Sequence, residues 1–344
     1  TAFWTPAQSN EVWLVDLPKL LARAGKTGTG AAAPDALAVL GSAAAHPVEK
    51  VAALLGEHEA WSRRAGRLAA ALEARFELVE ALYAAFDSDD SKALLRRHLA
   101  DFLAANRKDP WWAVGQAILA EHTRQDGAPD ALVRARRIAL EGVERFPDSP
   151  GGRRCRSLVA SIEAPEYSLE VMRADAPGRR SVRVTHRNLD RVFLRAHALD
   201  PERTIASAKG YRLVDGAETQ KTARDGQPTA AWTVDLPATP DYSDHHTYAE
   251  LPADLAPGWY LVSASARADF SEDGNKTLGA TVIVGDLVLV KRRMEDGGVE
   301  ALALAGATGR PVPGATIDLY AFSWKKGHAK IDSATTDAQG RAAF

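Results

Sequence analysis

The stretch Phe146-Pro-Asp-Ser-Pro-Gly-Gly-Arg-Arg-Cys-Arg-Ser-Leu-Val-Ala-Ser-Ile-Glu-Ala-Pro165-Glu-Tyr-Ser-Leu-Glu-Val171 decides the fold, because the periodicity of the chain changes inside it. Phe146-Pro-Asp-Ser-Pro150 stops one helix, and residues 152–159 read as the start of the next. Beyond Ala164-Pro165 the apolar residues alternate with polar ones: Leu169 and Val171, then Val182 and Val184, then Val192, Leu194 and Ala196. A period of two is the signature of half-buried strands.

Upstream, residues 36–163 are rich in Ala and Leu, with apolar residues three and four apart and few β-branched ones, which predicts helices. Leu68, Leu72, Phe76, Val79 and Tyr83 keep one face of a long helix. Asp90 or Ser91 is expected to cap the next, whose stripe is Leu94, Leu95, His98 and Phe102. Asp109-Pro110 opens another, carrying Trp112, Ile118 and Leu119; a fourth runs from about Asp130 through Leu132, Ala135, Ala139 and Val143 to Phe146. Small residues at regular spacing, then Phe-Pro-Asp-Ser-Pro and a new helix, look like a tetratricopeptide-type hairpin, although the earlier helices lack its period of about 34 residues. The region is therefore expected to be helical-repeat-like, and such helix pairs build interaction surfaces.

Downstream, further strands are expected at 231–236, 247–251, 258–266 and 277–284. The gaps carry turn signals (Pro177-Gly178, Asn188, Asp200-Pro201) and no helical pattern, so residues 164–285 are predicted to form an antiparallel β-sandwich. A second sandwich begins near Asp286, with strands at 287–290 and 299–305 followed by Gly309-Arg-Pro-Val-Pro-Gly-Ala-Thr-Ile-Asp-Leu-Tyr320. Its 59 residues fall short of the roughly 100 such a fold takes, so it is expected to be incomplete and to leave hydrophobic surface or an open edge. The expected class is multidomain, α then β: a partly flexible N-terminal segment (1–35) with Phe3, Trp4 and the stretch Gly25-Lys-Thr-Gly-Thr-Gly-Ala-Ala-Ala33, an α-helical repeat-like domain (36–163), and sandwiches over 164–285 and 286–344.

The 344 residues are enough for two or three domains, and 46% hydrophobic with 26% charged residues argues against disorder. With 43 Lys plus Arg against 45 Asp plus Glu there is no broad positive field, so no nucleic-acid partner is expected. No run of about 18 apolar residues occurs, so no membrane span is expected in this fragment. The chain opens on Thr1 and closes on Phe344 in an apparent strand, and both ends are expected to be artificial, with any export leader outside this stretch.

Cys155 is the only cysteine, which excludes an intrachain disulfide and a four-thiolate zinc site. A helix start and nearby arginines can depress a thiol pKa, but a catalytic thiol also needs a base, so a structural cysteine is expected. Ala24-Gly-Lys-Thr27 superficially resembles a phosphate loop; the pattern requires a glycine five positions before Gly25, and Leu20 stands there. Asp241-Tyr-Ser-Asp-His-His246 is the densest group of metal-ligating residue types, and a metal hydrolase using Asp241, Asp244, His245 and His246 is a third reading. Adjacent His245 and His246 in a strand face opposite sides. Asp269, Glu272, Asp273 and Asn275 around Gly274 lack the closing glutamate of a calcium loop and are expected to form a hairpin tip. No Gly-x-Ser-x-Gly elbow presents a serine. Of the tryptophans, Trp112 and Trp259 are expected in the core, whereas Trp324, beside Lys325 and Lys326, is expected to be exposed and is the one binding residue nominated.

The C-terminal half resembles the macroglobulin-like domains of bacterial alpha-2-macroglobulin family proteins. The likeness is carried by Asn188-Leu-Asp-Arg-Val-Phe-Leu-Arg195, by Leu255-Ala-Pro-Gly-Trp-Tyr-Leu-Val262, and by Gly309-Arg-Pro-Val-Pro-Gly-Ala315 with Thr336-Asp-Ala-Gln-Gly-Arg341. Phe146-Pro-Asp-Ser-Pro-Gly-Gly152 and Ile162-Glu-Ala-Pro165 extend it into the helical region, so that it covers about residues 90–344. Gly258 and Gly340 are expected to supply special turn conformations, and Asp337 to cap its own turn. The resemblance implies a periplasmic, cell-envelope or secreted protease inhibitor. Its partners would be proteins: target proteases through the whole molecule, and an envelope partner through the helical region. The family's thioester stretch, Cys-x-Glu-Gln, has no counterpart here, since Arg156, Ser157 and Leu158 follow Cys155. No catalytic residue, cofactor or metal is therefore expected. The alternative reading is an adhesion or carbohydrate-binding module in which Trp324 makes the contact.

Overall fold

The computed structural model describes residues 12–27, 36–171, 180–295 and 297–344. Phe3, Trp4, the part of the glycine-rich stretch after Thr27, and the Pro177-Gly178 turn lie outside the described residues. The chain divides into two compact units, Thr1–Ala164 and Pro165–Phe344.

The first unit is helical: α1 (Leu17–Thr27), α2 (Ala36–Gly41), α3 (Pro47–Arg64), α4 (Leu68–Ala85), α5 (Asp89–Ala105), α6 (Trp112–Arg124), α7 (Ala131–Arg145) and α8 (Pro150–Glu163). The segment expected to be partly flexible thus contains a helix, because Leu17, Leu20, Leu21 and Ala24 put one face of α1 into a core shared with Leu78, Leu82 and Leu95. A second core gathers Leu72, Phe76, Leu99, Leu103, Trp112 and Ile118 from α4, α5 and α6. The cap of α5 is Ser88, not Asp90 or Ser91; its hydroxyl accepts from the Ser91 amide at 3.3 Å. Ser149 caps α8 in the same way, with Pro150 at the first helical turn.

In the second unit, β1 (Glu166–Val171), β2 (Ser181–Arg187) and β5 (His245–Glu250) form one sheet, in the order β1-β2-β5. The other sheet has the order β4-β3-β6-β7, built from β3 (Arg191–Leu199), β4 (Ala230–Asp235), β6 (Gly258–Ser265) and β7 (Leu278–Val284). Every neighbouring pair is antiparallel. Val182, Val184, Val192, Leu194, Tyr260, Val262 and Val282 from the two sheets close one core, the arrangement of a β-sandwich.

Two helices interrupt the strands where none was expected: α9 (Pro201–Ser207) and α10 (Gly216–Asp225). Asp200 caps α9, so Asp200-Pro201 is a helix start and not a turn. Helix α10 lies on the outer face of the four-stranded sheet with Thr219 and Ala223 inward, and a Cβ at Gly279 would stand 2.4 Å from the Thr219 methyl. That cover explains why β6 is buried on both faces from Tyr260 to Ser265.

The remaining strands are β8 (Leu287–Arg293), β9 (Val299–Ala305), β10 (Thr316–Ser323), β11 (Gly327–Thr335) and β12 (Arg341–Ala343). They form a sheet ordered β12-β9-β8 and a separate β10-β11 hairpin. The whole of β8 is exposed, including Leu287, Val288, Leu289 and Val290, and it is bonded on one side only. Asp337 Oδ1 accepts from the amides of Gln339 and Arg341, and Gly340 takes φ +74°, which a side chain disfavours. Gly258 does not share that role: it begins β6 without a positive φ.

Only two residues, Gly285 and Asp286, separate β7 from β8. Arg180 donates to the carbonyl of Ile283 at 2.6 Å and to that of Gly285, while the Asp286 carboxylate accepts from the Ala307 amide at 2.7 Å. The joint between the two β modules is therefore held from both sides.

Candidate interaction surface

The β10–β11 hairpin ends in a tight turn, Trp324-Lys325-Lys326, closed by the Lys326 amide on the Ser323 hydroxyl at 3.0 Å. Residues two apart on a strand share a face, so Phe322 lies beneath Trp324, ring to ring at 5.0 Å and 80°. Tyr211, on the segment joining α9 to α10, meets the same phenyl ring at 5.8 Å and 79°. His328, the cross-strand partner of Phe322, donates through Nε2 to the Gly210 carbonyl at 3.0 Å and ties the hairpin to that segment. Edge-to-face contacts of this kind fix the rings in place. Trp324 is nonetheless 85% exposed and Tyr211 74%.

Beside the rings lies a groove of about 660 Å³, whose lining includes Lys209, Arg212, Asp215, Glu218, Lys221 and Trp324. Asp215 is partly committed, since its carboxylate caps α10 by accepting the Glu218 amide at 2.8 Å. Trp324 was nominated by the sequence; Tyr211, Phe322 and the groove cations were not. The alternation Phe322-Ser-Trp324 is the one local signal that two rings share a face.

The other nominated clusters do not converge. His245 Nε2 sits 3.0 Å from Asp241 Oδ1, His246 Nδ1 pairs with the Thr185 hydroxyl, and Asp244 faces Arg187 at 3.4 Å. Ser243 donates to Asp241, not to His245, so that serine is not paired with the imidazole beside it. Among the described residues no three His, Cys, Asp or Glu side chains gather as a metal site. Asp269 is engaged by Arg267 and Ser271, Glu272 by Arg224, and Asn275 by Ser265. Cys155 is fully buried, its thiol pushed up to about 11 by that burial, and its Sγ contacts the Ala113 carbonyl at 3.5 Å. Trp112 is a core residue whose indole donates to the Leu103 carbonyl at 2.9 Å, whereas Trp259 is only half-buried.

No protein-family model matches the chain, and no curated protein matches it. Solved structures that show a likeness include two of native alpha-2-macroglobulin from Escherichia coli. The one spanning domains MG0-NIE-MG1 is 17% identical with a TM-score of 0.38, over 52% of this chain and 57% of that one. The one spanning NIE-MG1 is 14% identical with a TM-score of 0.36, over 52% of this chain and 85% of that one. This chain therefore spans little more than half of the longer structure.

Proposed function

We propose that the chain is the N-terminal scaffold and interaction region of a bacterial alpha-2-macroglobulin-like protease inhibitor of the cell envelope. The observation that carries this reading is the modular order with its clamped joint: a helical unit, a seven-stranded sandwich, and a second β module that follows after two residues fixed by Arg180 and Asp286. An arrangement of this kind holds modules in register and supplies surfaces, the task of a framework. The sequence motifs between residues 90 and 344 supply the family assignment, and the helical unit, with its tetratricopeptide-like last hairpin, is the surface for a protein partner.

The test is to read the coding sequence beyond Phe344 and assay the encoded protein against a panel of proteases. Repeated sandwich modules, together with loss of protease activity on protein substrates but not on short peptides, are expected. A downstream Cys-x-Glu-Gln would make the trap covalent, and its absence non-covalent. An unrelated domain after Phe344, or full protease activity on protein substrates in the presence of the protein, overturns the reading.

A further inference from the structure

Single exposed apolar residues are ordinary on protein surfaces. Tyr211 and Trp324 are different, because both are braced against Phe322 beside a groove, so their exposed faces are held ready instead of collapsing onto the surface. The surrounding charge has one sign in excess. Lys209, Arg212 and Lys221 line the groove with Asp215 and Glu218, and Lys325 and Lys326 flank Trp324 at the hairpin tip. Among the described residues none of these five cations forms an ion pair, although Lys221 stands in the field of Asp225.

The geometry points to a binding site for an anionic glycan, a polysaccharide bearing carboxylates. A pyranose ring has an apolar C–H face, and laying it on the Trp324 indole removes both from water. The carboxylates of the same chain then meet Lys325 and Lys326 on one side and the groove cations on the other, where no internal ion pair has to be broken first. The groove volume lies within the range of about 300–1,000 Å³ usual for small-ligand sites, enough for a short stretch of sugar. An acidic peptide is less well served. Strand addition needs a free strand edge, and the lining comes from the segment 207–213, α10 and Trp324, with no strand edge among them. The inference stands independently of the protease-inhibitor reading.

Affinity electrophoresis of the full chain in gels containing polygalacturonate, with dextran as the neutral counterpart, tests it. Retardation by polygalacturonate and none by dextran is expected, with the apparent Kd raised about tenfold in Trp324→Ala. The double variant Lys325→Ala, Lys326→Ala should weaken binding and flatten its dependence on salt. Trp324 is exposed at a hairpin tip, and an unchanged circular dichroism spectrum will show that the variant is folded. Absence of retardation overturns the proposal, as does equal retardation of wild type and Trp324→Ala, which is adsorption by charge alone. Equal binding of dextran overturns the anionic part. Displacement by poly-glutamate at matched charge, with the same sensitivity to Trp324→Ala, overturns it in favour of an acidic peptide.

Discussion

Arg75 and Glu59 are an ion pair taken out of water, 1% and 0% exposed, within the helical unit. The guanidinium donates to Glu59 Oε2 at 2.8 Å and to the Ala24 carbonyl, and faces His98 Nε2 at 3.0 Å, so one side chain of α4 ties α1, α3 and α5 together. Against Arg75 the imidazole must be neutral to accept. Burial first, and then the Arg75 charge, hold His98 down to about 4, with Asp101 opposing weakly. Unfolded histidine titrates near 6.5, so as pH falls from about 6.5 to about 4 the unfolded chain takes up a proton that the native state refuses. The stability contribution is present in full above that window and is lost through it, by up to ~3 kcal/mol. Urea unfolding followed at 222 nm at pH 7.5 and pH 4.5 should show the loss, and the dependence should shrink in His98→Gln, whose amide oxygen still accepts from Arg75. At this scale the sequence was half legible. His98 falls on the inward stripe of α5, but Arg75 reads as a solvated position until its partners on three other helices are known.

Among the elements, α8 shows how glycine sets a helix contact. A Cβ on Gly151 would stand 2.2 Å from the Val114 amide nitrogen and 2.3 Å from the Ala113 carbonyl carbon, so its absence lets α8 approach the backbone of α6. In an open helix Gly→Ala gains about 0.5–1 kcal/mol. Here Gly151→Ala should instead cost about 1–3 kcal/mol, because the obstruction is backbone and cannot swing away. Thermal melts of Gly151→Ala beside Gly216→Ala, which opens α10 and whose Cβ meets nothing within 4 Å, separate the two cases. Elements with a long apolar stripe were legible, namely α4 through α8 and most strands of the first sandwich. Helix α10 was not, since only Thr219 and Ala223 turn inward, too few and too small to write a stripe. Its trace was the cap: Asp215 followed three residues later by Glu218 is a helix-start signature. The aromatic surface escaped for a related reason, because Tyr211 and Phe322 are more than a hundred residues apart and meet only through the fold.

On the scale of the β unit, what matters is that Arg180 gives both of its bonds at the joint to carbonyls and none to a carboxylate, so they depend little on salt or pH. Arg180→Ala leaves the Ile283 and Gly285 carbonyls to solvent, at a cost of about 1–2 kcal/mol that is local to the joint. Amide exchange over residues 284–288 should quicken by about tenfold while the global melting temperature barely moves; a large drop in melting temperature would instead make Arg180 part of the sandwich core. The second module is also held at a distant point, where Phe322 and His328 meet Tyr211 and Gly210. Two separated attachments remove the swivel that either alone would permit, so the pair of modules resists twisting as a braced frame does. Cutting one brace turns the other into a pivot.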